Sequence, residues 1–416
     1  MKPIGFVLLG LLALALPAGT QEPTVLVLTQ ANLIEGVGGP PSSGVTVVVR
    51  GRRIESVAAG APGPTPDGAT LIDLKGKYLL PGLMDAHVHI AGSRQATVAL
   101  KSGVTTVRSM GVSGYADVGL RELGRAGAME LPEVIAAGYH VRPQLAEPFF
   151  FDHPSLAPLL KGVRGPQSFR QVTAALVQRK VDWIKTTPTE RAGTPDTDPR
   201  IQTMSEEEMA AVVEEAKKAG ISVAAHAHGD EGGMAAVRAG VRSLEHGTYL
   251  SESTLRLMKE KGSYLVPTVA VVRDLLEPGG DYDHPGLRNR GRHMLPRLKE
   301  TVARAQQIGV KIVAATDTGY GPESTVRLAH DIEELVASGL TPLAALQAAT
   351  SIAAELFGIA HRTGAVKAGL EADLIVVERN PLEDILTLQD VLLVVNDGRI
   401  VVNRLSMAKG GSAPTN

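Results

Sequence analysis

The sequence predicts an α/β chain: a (β/α)8 barrel carrying a small β-domain that both ends of the chain build together. Two observations predict it. The middle alternates short apolar runs with helix-compatible sequence eight times, the count a closed parallel barrel requires. β-rich runs broken by glycine turns lie at both ends and flank that different middle. With 416 residues, the chain has room for one large α/β domain and an accessory domain.

The chain opens with MKPIGFVLLGLLALALPAGTQEP, in which one lysine precedes an apolar segment from Ile4 to Leu16. Pro17 and the small residues Ala18, Gly19 and Thr20 follow. Residues 1–20 read as a secretory signal peptide, because the apolar run is too short to span a bilayer comfortably. Ala13-Leu14-Ala15 satisfies the small-x-small rule but lies inside that run, so cleavage is expected near Ala18 to Thr20. The mature protein is then expected in the periplasm or outside the cell, with no stable membrane association.

Residues 21–80 form the first part of the β-domain: TVLVLTQANLIEG, VTVVVRGRRIESVA and ATLIDLKGKYLL turn at Gly51 and Gly76. Residues 363–407 form the second, where DLIVVERNP precedes VLLVVNDGRIVVN. Asp397-Gly398 between two β-branched runs is a strong hairpin signal. Residues 408–416 read as a flexible tail.

Residues 81–362 are read as the barrel. Its runs are PGLMDAHVHI (81–90), GVTTVRSM (103–110), PEVIAAG (132–138), VDWIKTT (181–187), ISVAAHAHG (221–229), VRSLEHG (241–247), SYLVPTVAV (263–271) and VKIVAATD (310–317). The clearest helix precedes ISVAAH. Ser205 and Glu208 make a capping box, Met209, Val212, Val213 and Ala216 share one face, and Gly220 closes it.

Composition narrows the chemistry. Hydrophobic residues make up 44% and charged residues 21%, ordinary for a globular chain. The net charge of −2, with no long basic run, gives no reason to expect nucleic acid as a partner. There is no cysteine, which removes disulfides, thiolate nucleophiles, lipoprotein acylation and Cys-ligated zinc together. Any metal site must be built from imidazole, carboxylate or lysine-derived ligands.

Such residues gather at the ends of the runs. His87 and His89 end the first, Lys185 the fourth, His226 the fifth, His246 the sixth and Asp317 the eighth. In a (β/α)8 barrel these ends open onto one face, where active sites sit. Each alone has a plain reading: a satisfied histidine, a solvated lysine, or an aspartate capping the next helix. Six at the same end of five strands exceed that reading, since barrel interiors rarely hold charged groups.

The ordered set PGLMDAHVHI, GVTTVR, WIK, AAHAHG, SLEHG, AATD and ATSIAAELFG…GAVKAGLEADLIVVERNPLEDI resembles the amidohydrolase superfamily, in particular its imidazolonepropionase-like and prolidase-like branch. The similarity runs from about residue 24 to about residue 405. It implies a distorted (β/α)8 barrel plus a β-sandwich made from the two termini. It also implies a binuclear centre of two divalent ions, Zn²⁺ or another metal. His87 and His89 match the ligands of the more buried ion, His226 and His246 those of the second, and Lys185 the carboxylated lysine that bridges them. Asp317 matches the aspartate that binds the first ion and moves protons. The implied chemistry is attack on a carbonyl by a metal-activated hydroxide. Asp85 is read as a supporting residue.

Substrate signals are sparser. In VAAHAHG, His228 is expected beyond the strand, in a supporting role in contact with substrate. Residues 139–167 form a long irregular stretch holding Phe149, Phe150 and Phe151, either packed on the barrel or facing substrate as a lid. His140 and Arg142 lie near the barrel mouth and suit a polar or carboxylate group. The Gly-Gly-His-like segment of relatives is missing here, and Arg108-Ser109 replaces their frequent Arg-Asp. Tyr249 in EHGTYLS resembles a tyrosine of prolidase-like members, with packing as its alternative. Three readings follow. The first is a hydrolase of dipeptides such as Xaa-Pro or of N-acyl amino acids. The second is a cyclic amidase or lactonase with the same centre. The third is a non-catalytic binding protein on a degenerate barrel. Assembly as a homo-oligomer is left open.

Overall fold

The computed structural model describes residues 24–406 apart from 62, 65 and 66. The signal peptide read in 1–20 and the tail read in 408–416 lie outside the described residues.

Strands from both ends join in one eight-stranded sheet. Its order is Arg399–Asn403, Leu393–Asn396, Leu374–Val377, Tyr78–Pro81, Val25–Leu33, Ser42–Arg50, Arg53–Ala59, with Thr70–Asp73 paired to Val25–Leu33. The two ends meet where Leu374–Val377 runs antiparallel to Tyr78–Pro81. Strand alternation assigns the faces. Leu374 and Val376 join Leu28, Val47 and Val395 in a core of the sheet's own, while Ile375 and Val377 share an apolar cluster with Leu100 and Val104 of the barrel. Asp397 (φ 50°) and Gly398 (φ 74°) make the expected hairpin, both left-handed as a mirror-image turn requires.

Seven parallel barrel strands are regular: Leu83–Val88, Val104–Ser109, Glu133–Ala136, Trp183–Thr186, Ser222–Ala227, Ser243–His246 and Tyr264–Val266. They lie in a three-stranded and a five-stranded sheet, the latter including His140–Val141. The Asp182 amide donates to the Ala136 carbonyl at 2.7 Å across one junction. The eighth stretch, expected as a strand over 310–317, closes the other without forming a regular one. The Val313 amide donates to Leu265 at 2.9 Å, the Ala86 amide to Ala314 at 3.2 Å, and the Asp317 amide to His87 at 2.7 Å.

Two buried carboxylates explain the irregularity. Asp331 Oδ2 accepts from the Ala315 amide at 2.9 Å, and Asp85 Oδ1 from the Thr316 amide at 3.1 Å. These donors are therefore spent on side chains instead of a ladder. The seventh strand is also shorter than expected. Pro267 has no N–H, Thr268 is left-handed at φ 50°, and Val269–Asp274 is a helix.

Elsewhere the local signals hold. The helix Glu206–Lys218 has its capping box, with the Glu208 amide donating to Ser205 Oγ and the Ser205 amide to Glu208 Oε2. The 139–167 stretch is more ordered than expected: it contains the helix Glu147–Asp152 and a 3-10 segment, Pro154–Leu159. Phe149 and Phe150 are buried with Tyr139 and Phe169, whereas Phe151 is 74% exposed. Packing accounts for the first two phenylalanines.

Asp331 also accepts from the Ala270 amide at 3.0 Å, so it ties the short helix to the eighth stretch. Asp331→Asn sets a donor against one of these amides and is expected to cost about 1–3 kcal/mol in urea denaturation. Burial pushes the Asp331 carboxyl up to about 7 from its ordinary 3.8. The folded chain then holds this proton more tightly than the unfolded chain, so the group's contribution is complete at low pH and declines as pH rises toward about 7. The stability gap between wild type and Asp331→Asn should therefore narrow with rising pH; a widening gap would contradict the assignment.

Candidate metal centre

His87, Lys185, His226, His228 and His246 are all buried at the same barrel mouth, with His89 and Asp317 partly buried beside them. The regular first strand ends at Val88, so alternation alone does not place His89. Both rings nevertheless reach one oxygen, Asp317 Oδ1, from His89 Nε2 at 2.9 Å and His87 Nε2 at 3.4 Å. His246 Nε2 lies 4.0 Å from Asp317 Oδ2. Asp317 (φ 53°) and His246 (φ 72°) are left-handed, a backbone cost of about 1–3 kcal/mol each of the kind found at functional sites.

Hydrogen bonds on the far side of each ring set its tautomer. His87 Nδ1 faces Glu245 Oε2 at 2.9 Å and His89 Nδ1 faces the Gly111 carbonyl at 2.8 Å. Both partners only accept, so both Nδ1 atoms carry a proton, and the His87 ring, held neutral by burial, presents a lone pair at Nε2. Thr268 Oγ1 donates to the Pro267 carbonyl at 2.7 Å and hence accepts from His246 Nδ1 at 2.8 Å, which again frees Nε2. His226 is reversed: its Nε2 donates to the Glu190 carbonyl at 3.0 Å and its Nδ1 is free. His228 Nδ1 meets Thr248 Oγ1 at 2.9 Å. Burial, the largest cause, holds His87, His226 and His246 well below the ordinary imidazole value and His228 at about 3. These rings are neutral at neutral pH, as metal ligands must be.

The donor set fits a metal. His89 Nε2 and a carboxylate oxygen of Asp317 stand 2.9 Å apart, a contact that a proton or a cation between them would bridge. Two ligand atoms each about 2.1 Å from one ion stand roughly 2.9–4.2 Å apart, depending on the angle they subtend. All three contacts to Asp317 fall in that interval. Two overlapping groups of these residues could each hold an ion, His87 with His246 and Asp317, and His226 with His228 and His246. His228, expected to stand apart from the ligands, is thus as close to them as His226, its ring stacked on His246 at 4.7 Å. The Asp317 carboxyl would be raised by burial, but His87, His89 and Lys185 reverse that and hold it below the usual carboxylate range. Burial pushes the Lys185 ammonium down to about 8 against the pull of Glu245 and Asp317. Its Nζ lies 3.2 Å from His87 Nε2.

Behind this layer sits a second set of residues, of which the sequence reading missed Glu245. Glu245, buried beside His246, accepts from Arg108 Nη2 at 3.0 Å while it orients His87. Arg108 also donates to the Ala86 carbonyl at 2.7 Å and to Ser243 Oγ at 3.0 Å, and lies 4.6 Å over Trp183. Ser109 Oγ is buried without a hydrogen-bond partner. Asp85 takes the supporting place expected of it, accepting from Thr316 Oγ1 at 2.7 Å and Tyr320 OH at 2.9 Å. Glu245→Gln would keep the shape but weaken the hold on His87 and leave Arg108 without its anion. Metal affinity measured by equilibrium dialysis is expected to fall about 10–100-fold.

Two cavities open from the centre. One of about 510 Å³ contains the imidazoles and an apolar wall of Val271, Val272 and Leu275. The other, of about 1090 Å³, is polar and includes Arg142 and Asp281. His89, His140, Arg191, Tyr282 and Asp317 line both. Arg191 and Tyr282 were not singled out in the sequence; a charged residue six positions after Lys185 was the available signal for the first. His140 donates from Nε2 to the Met110 carbonyl at 2.8 Å, in space that any Cβ on residue 111 would fill. Tyr249 lines neither cavity; its ring lies 5.9 Å from that of His293.

The fold and site define a barrel protein with a histidine-rich potential metal site. Residues 78–401 match the model of the amidohydrolase family. The ochratoxinase of Aspergillus niger is 30% identical over 416 residues, covering 90% of this chain and 85% of its own. A Xaa-Pro dipeptidase structure with methionine bound in its active site is similar at TM-score 0.83 and 30% identity, over 91% of this chain and 100% of that one. A prolidase complexed with N-methylphosphonate-L-proline is similar at TM-score 0.79 and 26% identity, again over 91% and 100%. The chain belongs to the amidohydrolase family, and is a hydrolase acting on carbon–nitrogen bonds.

Proposed function

We propose that this protein is a metal-dependent hydrolase of small amides, a dipeptide such as Xaa-Pro or an N-acyl amino acid. The observation that carries the reading is the convergence on Asp317 and Lys185 of the neutral His87, His226 and His246 imidazoles, each with its proton turned outward and a lone pair inward, with His89 beside them. The dipeptidase, prolidase and ochratoxinase similarities support the amide class.

His87, His89 and Asp317 would hold one divalent ion, and His226 and His246 a second; nitrogen and carboxylate oxygen ligands suit Zn²⁺. Lys185 would supply the anion between them once its neutral amine adds carbon dioxide and loses a proton to give a carbamate. Its lowered value of about 8 keeps a share of that amine neutral near pH 7. When bound, the ions supply Lewis acidity that polarises an amide carbonyl and acidifies water. Asp317 takes the proton of the attacking water and delivers it to the leaving nitrogen. His140, with its proton committed to Met110, offers Nδ1 as an acceptor for a substrate N–H. Arg142 faces the polar cavity and suits a substrate anion, and His228, which stands with the ligand imidazoles in the cavity lining, is placed to touch substrate as well.

The test is metal analysis together with a panel of Xaa-Pro and other dipeptides, N-acyl amino acids, cyclic amides and lactones on metal-reconstituted protein. Stoichiometric divalent metal and turnover of the first two classes are expected. Turnover confined to lactones or cyclic amides would replace this reading, and a protein with neither metal nor turnover would end it.

A further inference from the structure

Arg142 and Arg191 share the polar cavity, and Arg191 also lines the cavity that holds the histidine cluster. Both are partly buried. Neither side chain has a hydrogen bond or a carboxylate within ion-pair distance among the described residues. Other inward arginines are matched: Arg108 by Glu245, Arg121 by Asp182, and Arg362 by Glu133 and Glu371. Burial first, and then the Arg191 charge, holds the Arg142 guanidinium below its ordinary value, ahead of the opposing pull of Glu190. Glu190, which pulls on Arg142, makes no ion pair with it among the described residues, and the carboxylates that line the two cavities are already engaged. Asp281 accepts from Ser324 Oγ at 2.7 Å and Thr318 Oγ1 at 3.2 Å, and Asp317 is held by His87 and His89. Two guanidiniums kept half out of water without an anion are costly unless a ligand brings one.

The cavity that holds the imidazoles has an apolar stretch of its own. Val271, Val272 and Leu275 form its wall beside Ala192 and Gly193, and Asp317 is the one carboxylate in that cavity. A substrate ammonium placed there would find no free acid. An uncharged acyl group would find apolar contact.

We propose that Arg142 and Arg191 bind the carboxylate of an N-acyl amino acid whose uncharged, apolar acyl half lies on the Val271–Val272–Leu275 wall. This rests on the amide-hydrolase reading and narrows it. The scissile amide spans the histidine cluster, the amino-acid half enters the polar cavity, and a free dipeptide is disfavoured because its ammonium lacks a partner. His140 does not share the carboxylate: its free Nδ1 is an acceptor.

Three probes on the metal-loaded protein decide it: N-benzoyl-L-alanine, its C-terminal carboxamide, and the dipeptide Phe-Ala. The acid should exceed each of the others in kcat/KM by about tenfold or more, the scale of one hydrogen bond to a charged group. Arg191→Met and Arg142→Met should each shrink the acid-over-carboxamide preference about 10- to 100-fold, chiefly through KM. Arg191→Lys, which keeps the charge but loses the planar fork, should fall between. Equal cleavage of acid and carboxamide, or an unchanged preference in both Met variants, would overturn the subsite. A preference for Phe-Ala over the benzoyl acid would overturn the orientation. Calorimetric binding of the acid and the carboxamide separates the two levels. Preferential acid binding that Arg191→Met abolishes supports the subsite even if no amide is cleaved, an outcome that refutes only the hydrolase reading; equal binding of the two refutes the subsite.

Discussion

Lys185→Ala is expected to lose most of its bound metal and to fall in kcat/KM by about 10²–10³-fold or more, the scale of removing one preorganised electrostatic group from an active site. The expectation follows from where the side chain sits. Lys185 is buried, its Nζ is 3.2 Å from His87 Nε2, and it is surrounded by imidazoles whose lone pairs point inward. A bare ammonium there would repel a divalent ion, whereas a carbamate supplies the anion that two ions need between them. The variant removes the anion and leaves space where it stood. Formate or acetate should therefore restore part of both metal content and rate, and bicarbonate should not restore a chain that has no amine to carboxylate. Metal content by elemental analysis and kcat/KM across a carboxylate titration check this. Full metal and full rate in Lys185→Ala would refute the bridging role.

Asp317→Asn is expected to lower kcat by about 10²–10⁴-fold, the range for losing a positioned general base. The effect is larger on kcat than on KM, because the carboxylate is not placed to hold substrate in the ground state. Asn preserves size and one acceptor oxygen but cannot take a proton. His87, His89 and Lys185 overcome the burial that would raise the wild-type carboxyl and keep it below the usual range. It is therefore ionised and able to accept a proton throughout the neutral region, and its loss on acidification should set in only below the ordinary carboxylate range. Measuring kcat and metal occupancy together separates proton transfer from ligand loss. A fully metallated Asp317→Asn with near-normal kcat would remove Asp317 from the proton path.

Local pattern carried much of the architecture. The capping box at Ser205, the Asp397-Gly398 turn and the alternation of Leu374 to Val377 are all set by residues a few positions apart, so a linear reading recovers them. The same holds for grouping His87, His89, Lys185, His226, His246 and Asp317, since a barrel brings all strand ends to one mouth whatever their separation in sequence. The eighth run failed as a strand for a reason outside that logic. Its amides bond to Asp85 and Asp331, and no periodicity in VKIVAATD reports where those carboxylates lie.

The sequence by itself determined the class of chemistry: no cysteine, and a repeating set of barrel strands ending in imidazole, amine and carboxylate. Tertiary structure alone decided which nitrogen of each histidine is free. Glu245 sets the His87 proton across 158 residues, and the Gly111 carbonyl sets that of His89 across 22. It also decided that His228 stands with the imidazoles, that Glu245 and Arg108 support them, and that Arg142 and Arg191 lack an acid. Residue type and spacing follow from the chain. The direction of a hydrogen bond and the absence of a counter-charge depend on atoms that only folding brings within about 3–4 Å of one another.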